Sequence, residues 1–384
     1  MTGALAKGYT NGTHRLVAPE ETLARIQPHL ASVGITRCAD VTGLDRIGIP
    51  VYCAIRPANR SIQVSNGKGL RPVDAMVSAF MEAIELFHAE HPDGRIERGS
   101  LKSLRRAGRR AIAPDRLRDY RTDTFFSQDF VIDWVKGEDL LSGEEVWLPA
   151  AAAYMWPSLL YQWSSNGLAS GNHLVEATLH GLYELMERDA VSRLARGRQV
   201  HFTPRRCRFI DLKTLAAGPV AELADRVAAA DIKLVLIWVK SCVAVHTFLA
   251  VLLDRQAFSP SSTVSVGYGT HRSAGVAAVR AITEAAQARA TYIHGAREDL
   301  TAENYRDPHR RLFRFFDRIE ATTAWDTLPE RAAADLQEDY DVLLRALAEA
   351  GHRDVFRVDL TRPPFEIPVM KVWVSGLKRN PNLF

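Results

Sequence analysis

The chain has 384 residues, 47% hydrophobic and 24% charged, the composition of an ordinary water-soluble protein with room for two or three subdomains. Its 49 basic and 45 acidic residues leave a net charge of +4, too balanced to imply a nucleic-acid partner. The first fifteen residues lack the apolar core of a secretory signal. The longest apolar runs, near Leu234–Val239 and Phe248–Leu253, are too short to span a bilayer. Cys38, Cys53, Cys207 and Cys242 show no CxxC spacing, so neither a zinc site nor a disulfide framework is expected, and a cytoplasmic protein with reduced thiols is. Nine lysines stand against forty arginines, an excess that reads as genome composition rather than as phosphate recognition.

In chain order, residues 1–15 read as flexible, and a short helix follows Pro19 with Thr22 in its first turns. Val51–Ile55 and Ser61–Val64 read as strands, the second ending in a turn at Ser65-Asn66-Gly67. Pro72 opens a helix to about Ala89, since proline is favoured in a first turn. A basic helical segment covers about 100–120 and includes Arg105, Arg106, Arg109 and Arg110. Asp129–Lys136 and Glu144–Leu148 alternate as strands around Leu141-Ser142-Gly143, and a helix spans 173–195. A helix near 219–230 precedes strands at 232–240 and 244–253, close enough to form an antiparallel hairpin. Helices at 274–293, 303–318 and 330–350 and strands at 354–359 and 368–374 complete the chain. Cys53 and Cys242 lie in strand-like, apolar contexts. Strands grouped in adjacent pairs with helices between the groups predict an α+β fold with antiparallel or mixed sheets.

The chemistry concentrates in three segments. Ser164–Arg188 places Glu176, Glu184 and Glu187 within about 80° on one helix stripe that rises roughly 16 Å. Like charges on one face repel, and hard carboxylate oxygens suit Mg²⁺, which takes one or two carboxylates plus substrate phosphates. A solvent-facing acidic stripe is the alternative, but Leu174, Ala177, Leu179, Leu182, Leu185 and Met186 leave little of this helix for water. His180, between the glutamates, reads as a packed histidine rather than a base. The helix opened by Pro72 places Glu82 and Glu85 at i, i+3 among apolar neighbours, where a cation or hydrogen-bond donors must compensate them. Just before it, Lys68 sits in Asn66-Gly67-Lys68-Gly69, yet a P-loop would need Gly at 62 and Ser or Thr at 69, where the chain has Ile62 and Gly69. The third segment sets Arg280, Glu284 and Gln287 on one stripe after the glycine-containing Val266–His271. Neither HExxH nor GxSxG occurs.

In combination, SNGLASGNHLVEATLHGLYELMERDA, the GKG preceding SAFMEAIE, and RAITEAAQAR resemble the landmarks of the YcaO family, in the family's order and across nearly the whole chain. The resemblance implies a single YcaO domain over 1–384, with subdomains near 1–160, 161–295 and 296–384, and a YcaO-type α+β fold with its ATP site between acidic helices. By this resemblance, Glu82, Glu85, Glu176, Glu184 and Glu187 would hold Mg²⁺ along the triphosphate. Arg15, Thr22, Lys68, Ser78, Asn172, Arg188 and Arg280 would touch ATP, and Arg280 and Gln287 are the candidates for the reacting centre. Where the family often has Ser three residues before the Asn, this chain has Ala169.

The implied chemistry is ATP-dependent activation of a peptide backbone amide. A nucleophile adds to the carbonyl, the oxyanion takes the γ-phosphoryl group, and phosphate leaves. A neighbouring Cys, Ser or Thr gives an azoline, and external sulfide gives a thioamide. The chain ends VSGLKRNPNLF, without the PxPxP tail common in azoline-forming members, and GTHRLVAPEETL with GITRCADVTGLDRIGIPV resembles the TfuA-associated branch that makes thioamides. A thioamide-forming enzyme of ribosomally made peptides is therefore expected, with a precursor peptide or protein, a TfuA-type partner and a sulfide source, and with the homodimerisation common in the family. The alternatives are an azoline-forming cyclodehydratase and a nucleotide-binding accessory subunit for sulfur modification of a ribosomal protein.

Overall fold

A computed structural model describes all residues except 1–3, 61, 94, 118–119, 122, 198, 257–262, 296, 298–299, 301–309, 364, 366, 381–382 and 384. The strands are β1 (Arg37–Asp40), β2 (Val51–Ile55), β3 (Val64–Lys68), β4 (Ile96–Ser100), β5 (Val131–Asp139), β6 (Glu145–Pro149), β7 (Leu168–Ser170), β8 (Ala195–Arg196), β9 (Gln199–Val200), β10 (Cys207–Asp211), β11 (Ile232–Val239), β12 (His246–Asp254), β13 (Val264–His271), β14 (Thr323–Ala324), β15 (Val355–Asp359) and β16 (Val369–Val374). The helices are α1 (Pro19–Ile26), α2 (Pro72–Glu90), α3 (Leu101–Arg106), α4 (Ala150–Ala153), α5 (Leu174–Ser192), α6 (Pro219–Ala229), α7 (Ala274–His294), α8 (Arg310–Arg318) and α9 (Leu336–Glu349).

The fold is α+β, as expected. One unit comprises Met1–Ala83, Met186–Asp339 and Lys378–Phe384, and a second comprises Ile84–Leu185 and Tyr340–Leu377. These boundaries differ from the expected ones near 160 and 295. Three of them fall inside α2, α5 and α9, where a continuous helix leaves no linker composition to read.

In the first unit, β13-β12-β11-β10 run antiparallel, and β14 joins β10 in parallel. On one face Leu234, Leu236, Phe248, Ala250 and Leu252 pack with Leu223 and Val227 of α6 and with Ala277, Ala281 and Ile282 of α7. On the other, Val235, Ile237, Val239, Leu249 and Val251 pack with Leu194 and Phe316. Burial of both faces is why these strands read as unbroken apolar runs rather than alternating ones. The hairpin of β11 and β12 forms as expected. Cys242 lies half-buried in the bend between them, outside any strand, whereas Cys53 is a core residue of β2.

β13 was legible only as a glycine-containing stretch. A Cβ on Gly267 would lie 2.1 Å from the Ala285 backbone nitrogen, and one on Gly269 would lie 2.1 Å from the Ala277 carbonyl oxygen. The glycines let the strand lie directly on α7. The same holds for β3 in the antiparallel β1-β2-β3 sheet. Gly67 pairs with Tyr52, and a Cβ there would lie 2.1 Å from Ala75 O and Ala79 N of α2. The turn expected at Ser65–Gly67 is therefore strand, and the strand expected at 61–64 begins only at Val64.

The N-terminal stretch from Ala4 is held in place rather than flexible. Ala6 bridges to Asp335 and Tyr9 to Arg15, and the buried Lys7 ammonium pairs with Asp339 at 2.6 Å.

In the second unit the order is β4-β5-β15-β16-β7, all antiparallel, with β6 on the opposite edge of β5. Trp134 and Trp147 pack with Leu101, Leu104 and Ala111. The basic segment expected as helix over 100–120 is helical only at α3. A capping box between Ser100 and Ser103 opens it, and Gly108, at φ +76°, turns the chain away just after it. Its arginines are largely engaged on the surface: Arg109 pairs with Glu97 at 2.5 Å and lies over Trp147, while Arg110 pairs with Asp139 and Glu144. Among the helices of the described residues, none is long and apolar enough to cross a membrane. Of the helix expected at 303–318, α8 is the described part; 303–309 lies outside the described residues.

Candidate nucleotide and metal site

In the first unit, α7 carries Arg280, Glu284 and Gln287 on one stripe, each half-buried. Glu284 is the organising group. It receives the Lys68 ammonium at 2.9 Å and accepts the Tyr268 backbone N–H at 3.2 Å. Burial alone would raise its carboxyl pKa, but the charges of Lys68, Arg188 and Arg280 outweigh that and hold it below the ordinary value. Three of the cations expected to meet ATP therefore act on one carboxylate. Burial pushes the Tyr268 phenol up to about 12; the Arg188 charge opposes this, and those of Glu284 and Glu187 add to it. Tyr268 had no sequence signal beyond its place between two glycines.

Gln287 is committed to the scaffold: its amide donates to the Asn66 carbonyl oxygen of β3 at 2.7 Å. Asn66 in turn donates to Thr291 at 2.8 Å and accepts from the Cys53 thiol at 3.0 Å. This links β2, β3 and α7, and it fixes Lys68 two residues further along β3. Burial and then the Glu82 charge raise the Cys53 thiol to about 11, which keeps it protonated and inert. Arg15 follows the loop closed by the Tyr9–Arg15 bridge, and its charge, like that of Arg280, acts on the buried His271. Thr22 is 4% exposed on α1, and Ser78 is half-buried on α2. Glu82 is half-buried, Glu187 is 4% exposed, and Arg188 is half-buried.

In the second unit Glu85 accepts two bonds from Ser170, from the backbone N–H at 2.7 Å and from the hydroxyl at 2.6 Å. Ser170 thus orients a proposed metal ligand, a role sequence reading missed, although Ser170 stands in the same SGN motif as Asn172. Ala169, where the family often has Ser, is buried in β7 opposite Met370. Glu176 is 3% exposed and accepts from the Asn172 backbone and side-chain nitrogens at 3.1 and 3.2 Å. Glu184 and His180 are half-buried on α5.

Two of the carboxylates, Glu85 and Glu176, are already oriented by N–H or O–H donors, and carboxylate oxygen fits a hard cation. Among the described residues no group of three or more His, Cys, Asp or Glu side chains forms an all-protein metal cage. Mg²⁺ in nucleotide sites needs none, because phosphate oxygens and water complete its shell. The cations around Glu284 suit phosphate oxygens.

The model of the family described as YcaO cyclodehydratase, ATP- and Mg²⁺-binding, matches residues 66–378. The chain belongs to the YcaO family. ATP and Mg²⁺ are the cofactors of that family. The chain is 34% identical over 379 residues to an uncharacterized protein of Methanothermobacter thermautotrophicus, covering 94% of each chain. It is 32% identical to an uncharacterized protein encoded in the tfuA 3′ region of Rhizobium leguminosarum bv. trifolii, covering 97% of this chain and 90% of that one. The solved YcaO of Methanopyrus kandleri, bound with AMPPCP and Mg²⁺, superposes with a TM-score of 0.76 at 27% identity, over 97% of this chain and 95% of that one. A heterocyclase solved with substrate and cofactor gives a TM-score of 0.79 at 22% identity, over 99% of this chain and 54% of that one, a likeness of fold.

Proposed function

We propose that this YcaO protein uses Mg–ATP to activate a backbone amide of a ribosomally made peptide or protein and installs sulfur to give a thioamide. The observation that carries the activation step is the convergence of Lys68, Arg188 and Arg280 on Glu284. It supplies concentrated positive charge within the first unit. Phosphoryl transfer is catalysed by such positioning and charge neutralisation rather than by a covalent protein intermediate. Glu82, Glu85, Glu176, Glu184 and Glu187 remain the proposed Mg²⁺ ligands. Arg15, Thr22, Lys68, Ser78, Asn172, Arg188 and Arg280 remain the proposed ATP contacts. Bound Mg–ATP supplies the phosphoryl group that turns the carbonyl oxygen into a leaving group.

Within the chain, Ser170 and Asn172 aim Glu85 and Glu176, and Gln287 holds the strand that carries Lys68. Arg280 stays the candidate for contact with the transferring group; Gln287, through Asn66, is the positioning residue of the pair.

The choice of sulfur rests on the resemblance of the N-terminal segments to the TfuA-associated branch, and a relative encoded beside tfuA agrees with it. A TfuA-type protein is the proposed partner, with sulfide or a carrier as donor. Azoline formation is the second reading, because the matched family model is named for cyclodehydratases.

The deciding experiment is the intact mass of a precursor peptide encoded beside the gene, after incubation with this protein, its neighbour-encoded partner, Mg–ATP and sulfide. Exchange of oxygen for sulfur, requiring sulfide, establishes thioamidation. Loss of water without sulfide establishes azoline formation instead. ATP turnover that never depends on peptide would favour an accessory subunit.

A further inference from the structure

β7 is three residues long and stands at one end of the second unit's sheet, yet it carries Ser170, which orients Glu85. Its ladder with β16 has three pairs: Leu168 with Lys371, Ala169 with Met370, and Ser170 with Val369. A strand this short keeps its place through whatever fastens its two ends.

The end after Ser170 is fastened by backbone alone, the Gly171 N–H donating to the Pro368 carbonyl oxygen at 3.1 Å. The end before Leu168 is fastened by a side chain. The Lys371 ammonium donates to the Ser164 carbonyl oxygen at 2.6 Å and to that of Asn166 at 2.8 Å. Lys371 is 2% exposed and is the one charge in the otherwise apolar β16. Its Nζ also lies 5.9 Å from the centre of the Trp373 ring. An ammonium is costly to bury unless its donors are taken up, and a buried carbonyl is costly to leave unpaired. The ammonium and the two carbonyls therefore hold one another in place.

The rest of the loop is closed against the same strand. The Leu168 N–H donates to Ser165 O at 2.7 Å, and the Val372 N–H donates to Gly167 O at 2.9 Å. Gly167 has φ +79°, and a Cβ there would lie 2.4 Å from the Val372 carbonyl oxygen.

The pleat then decides which way each side chain faces, since opposed residues share a face and successive residues alternate. Leu168, Ser170, Val369 and Lys371 share one face of the ladder, and Ala169, Met370 and Val372 share the other. α5 covers the second face: a Cβ on Gly181 would lie 2.7 Å from the Val372 side chain and 3.6 Å from that of Ala169. Lys371 and Ser170 are left together on the first.

We infer that Lys371 is a positioning residue for the metal site. By pinning the Ser164 and Asn166 carbonyls it sets where β7 begins. That fixes where the Ser170 N–H and hydroxyl stand, and so how Glu85 is aimed. The inference rests on the reading of Glu85 as a Mg²⁺ ligand.

The test reads the two links separately. The first needs neither metal nor nucleotide and follows amide hydrogen exchange at Ser170 in the full-length protein. Lys371→Met keeps the apolar stem and removes the donor, and the Ser170 amide should then exchange at least about tenfold faster. Val374→Ala opens a cavity on the same strand, opposite Val355 and beyond the β7 ladder. It should lower the unfolding midpoint without that acceleration. Unchanged exchange in Lys371→Met, or an equal rise in Val374→Ala, overturns the inference.

The second link is read by paramagnetic resonance titration of Mn²⁺, a hard cation of the same ligand preference as Mg²⁺, in the presence of AMPPCP. Lys371→Met and Ser170→Ala should each weaken Mn²⁺ binding about tenfold. The double variant should lose little more than either alone, because the two act in series. A loss near the product of the two, or an unweakened Lys371→Met beside a weakened Ser170→Ala, overturns the inference. A faster Ser170 amide in Lys371→Met with Mn²⁺ binding unchanged in Ser170→Ala overturns the reading of Glu85, and the positioning role with it. Lys371→Gln, which keeps two N–H donors, takes the place of Lys371→Met if that variant does not fold. Collapse of both would make Lys371 a residue of general stability and overturn the inference.

Discussion

Replacing Arg289 by leucine separates the structural from the chemical members of the RAITEAAQAR segment. Arg289 is nearly buried on α7, with its side chain 4% exposed, and its Nε lies 3.0 Å from both carboxylate oxygens of Asp45. One of its two terminal nitrogens, Nη2, reaches Asp254 at 2.9 Å. Asp254 also takes both guanidinium nitrogens of Arg46, at 2.8 and 2.9 Å. Leucine leaves Asp254 neutralised by Arg46 but strands Asp45, whose side chain is 8% exposed. Removing one partner of a buried pair costs about 3–5 kcal/mol. Because Arg46 still serves one of the two acids, a loss near about 3 kcal/mol is expected. For a unit of this size that lowers the melting temperature by roughly 6–12 °C.

Urea unfolding followed by tryptophan fluorescence measures it as a shift of midpoint at unchanged slope. Asp45→Leu combined with Arg289→Leu should recover at least about 1.5 kcal/mol of the summed losses, since no carboxylate is then left uncompensated. A single-variant loss below about 1 kcal/mol, or a coupling near zero, would refute the account.

Glu187→Gln should abolish peptide-dependent release of phosphate while leaving the melting temperature within a few degrees; undiminished turnover would remove Glu187 from the metal set. Gly67→Ala forces a methyl group to within 2.1 Å of the α2 backbone and should cost at least about 1–3 kcal/mol, read as a lowered unfolding midpoint, whereas an unchanged midpoint would mean that β3 does not lie on α2. His14, packed edge-on against His271, has its pKa lowered to about 4 by burial and then by the Lys7 charge, and His271 is lowered by burial as well. Both groups are neutral when folded and bind protons more readily when unfolded, near pH 6.5. Their contribution is therefore complete above about pH 6.5 and is lost as pH falls toward 4. His14→Gln should flatten the stability profile in that window, and a parallel profile for the variant would contradict the assignment.

The sequence by itself determined the fold class, most of the helices and the family. Those rest on local signals that survive in one dimension: the proline opening α2, the apolar periodicity of α5 and α7, and the glutamates spaced on helix stripes. It did not disclose β13 or the true extent of β3. Their glycines are chosen by the backbone of a helix distant in sequence, and within a strand they imitate a turn. Nor did it disclose that Gln287 donates to β3 or that Ser170 orients Glu85. Each of these depends on which residue a strand edge or a side chain meets after folding. Spacing along one element specifies a face, whereas a hydrogen-bond partner is specified only by the register between elements, which tertiary packing decides.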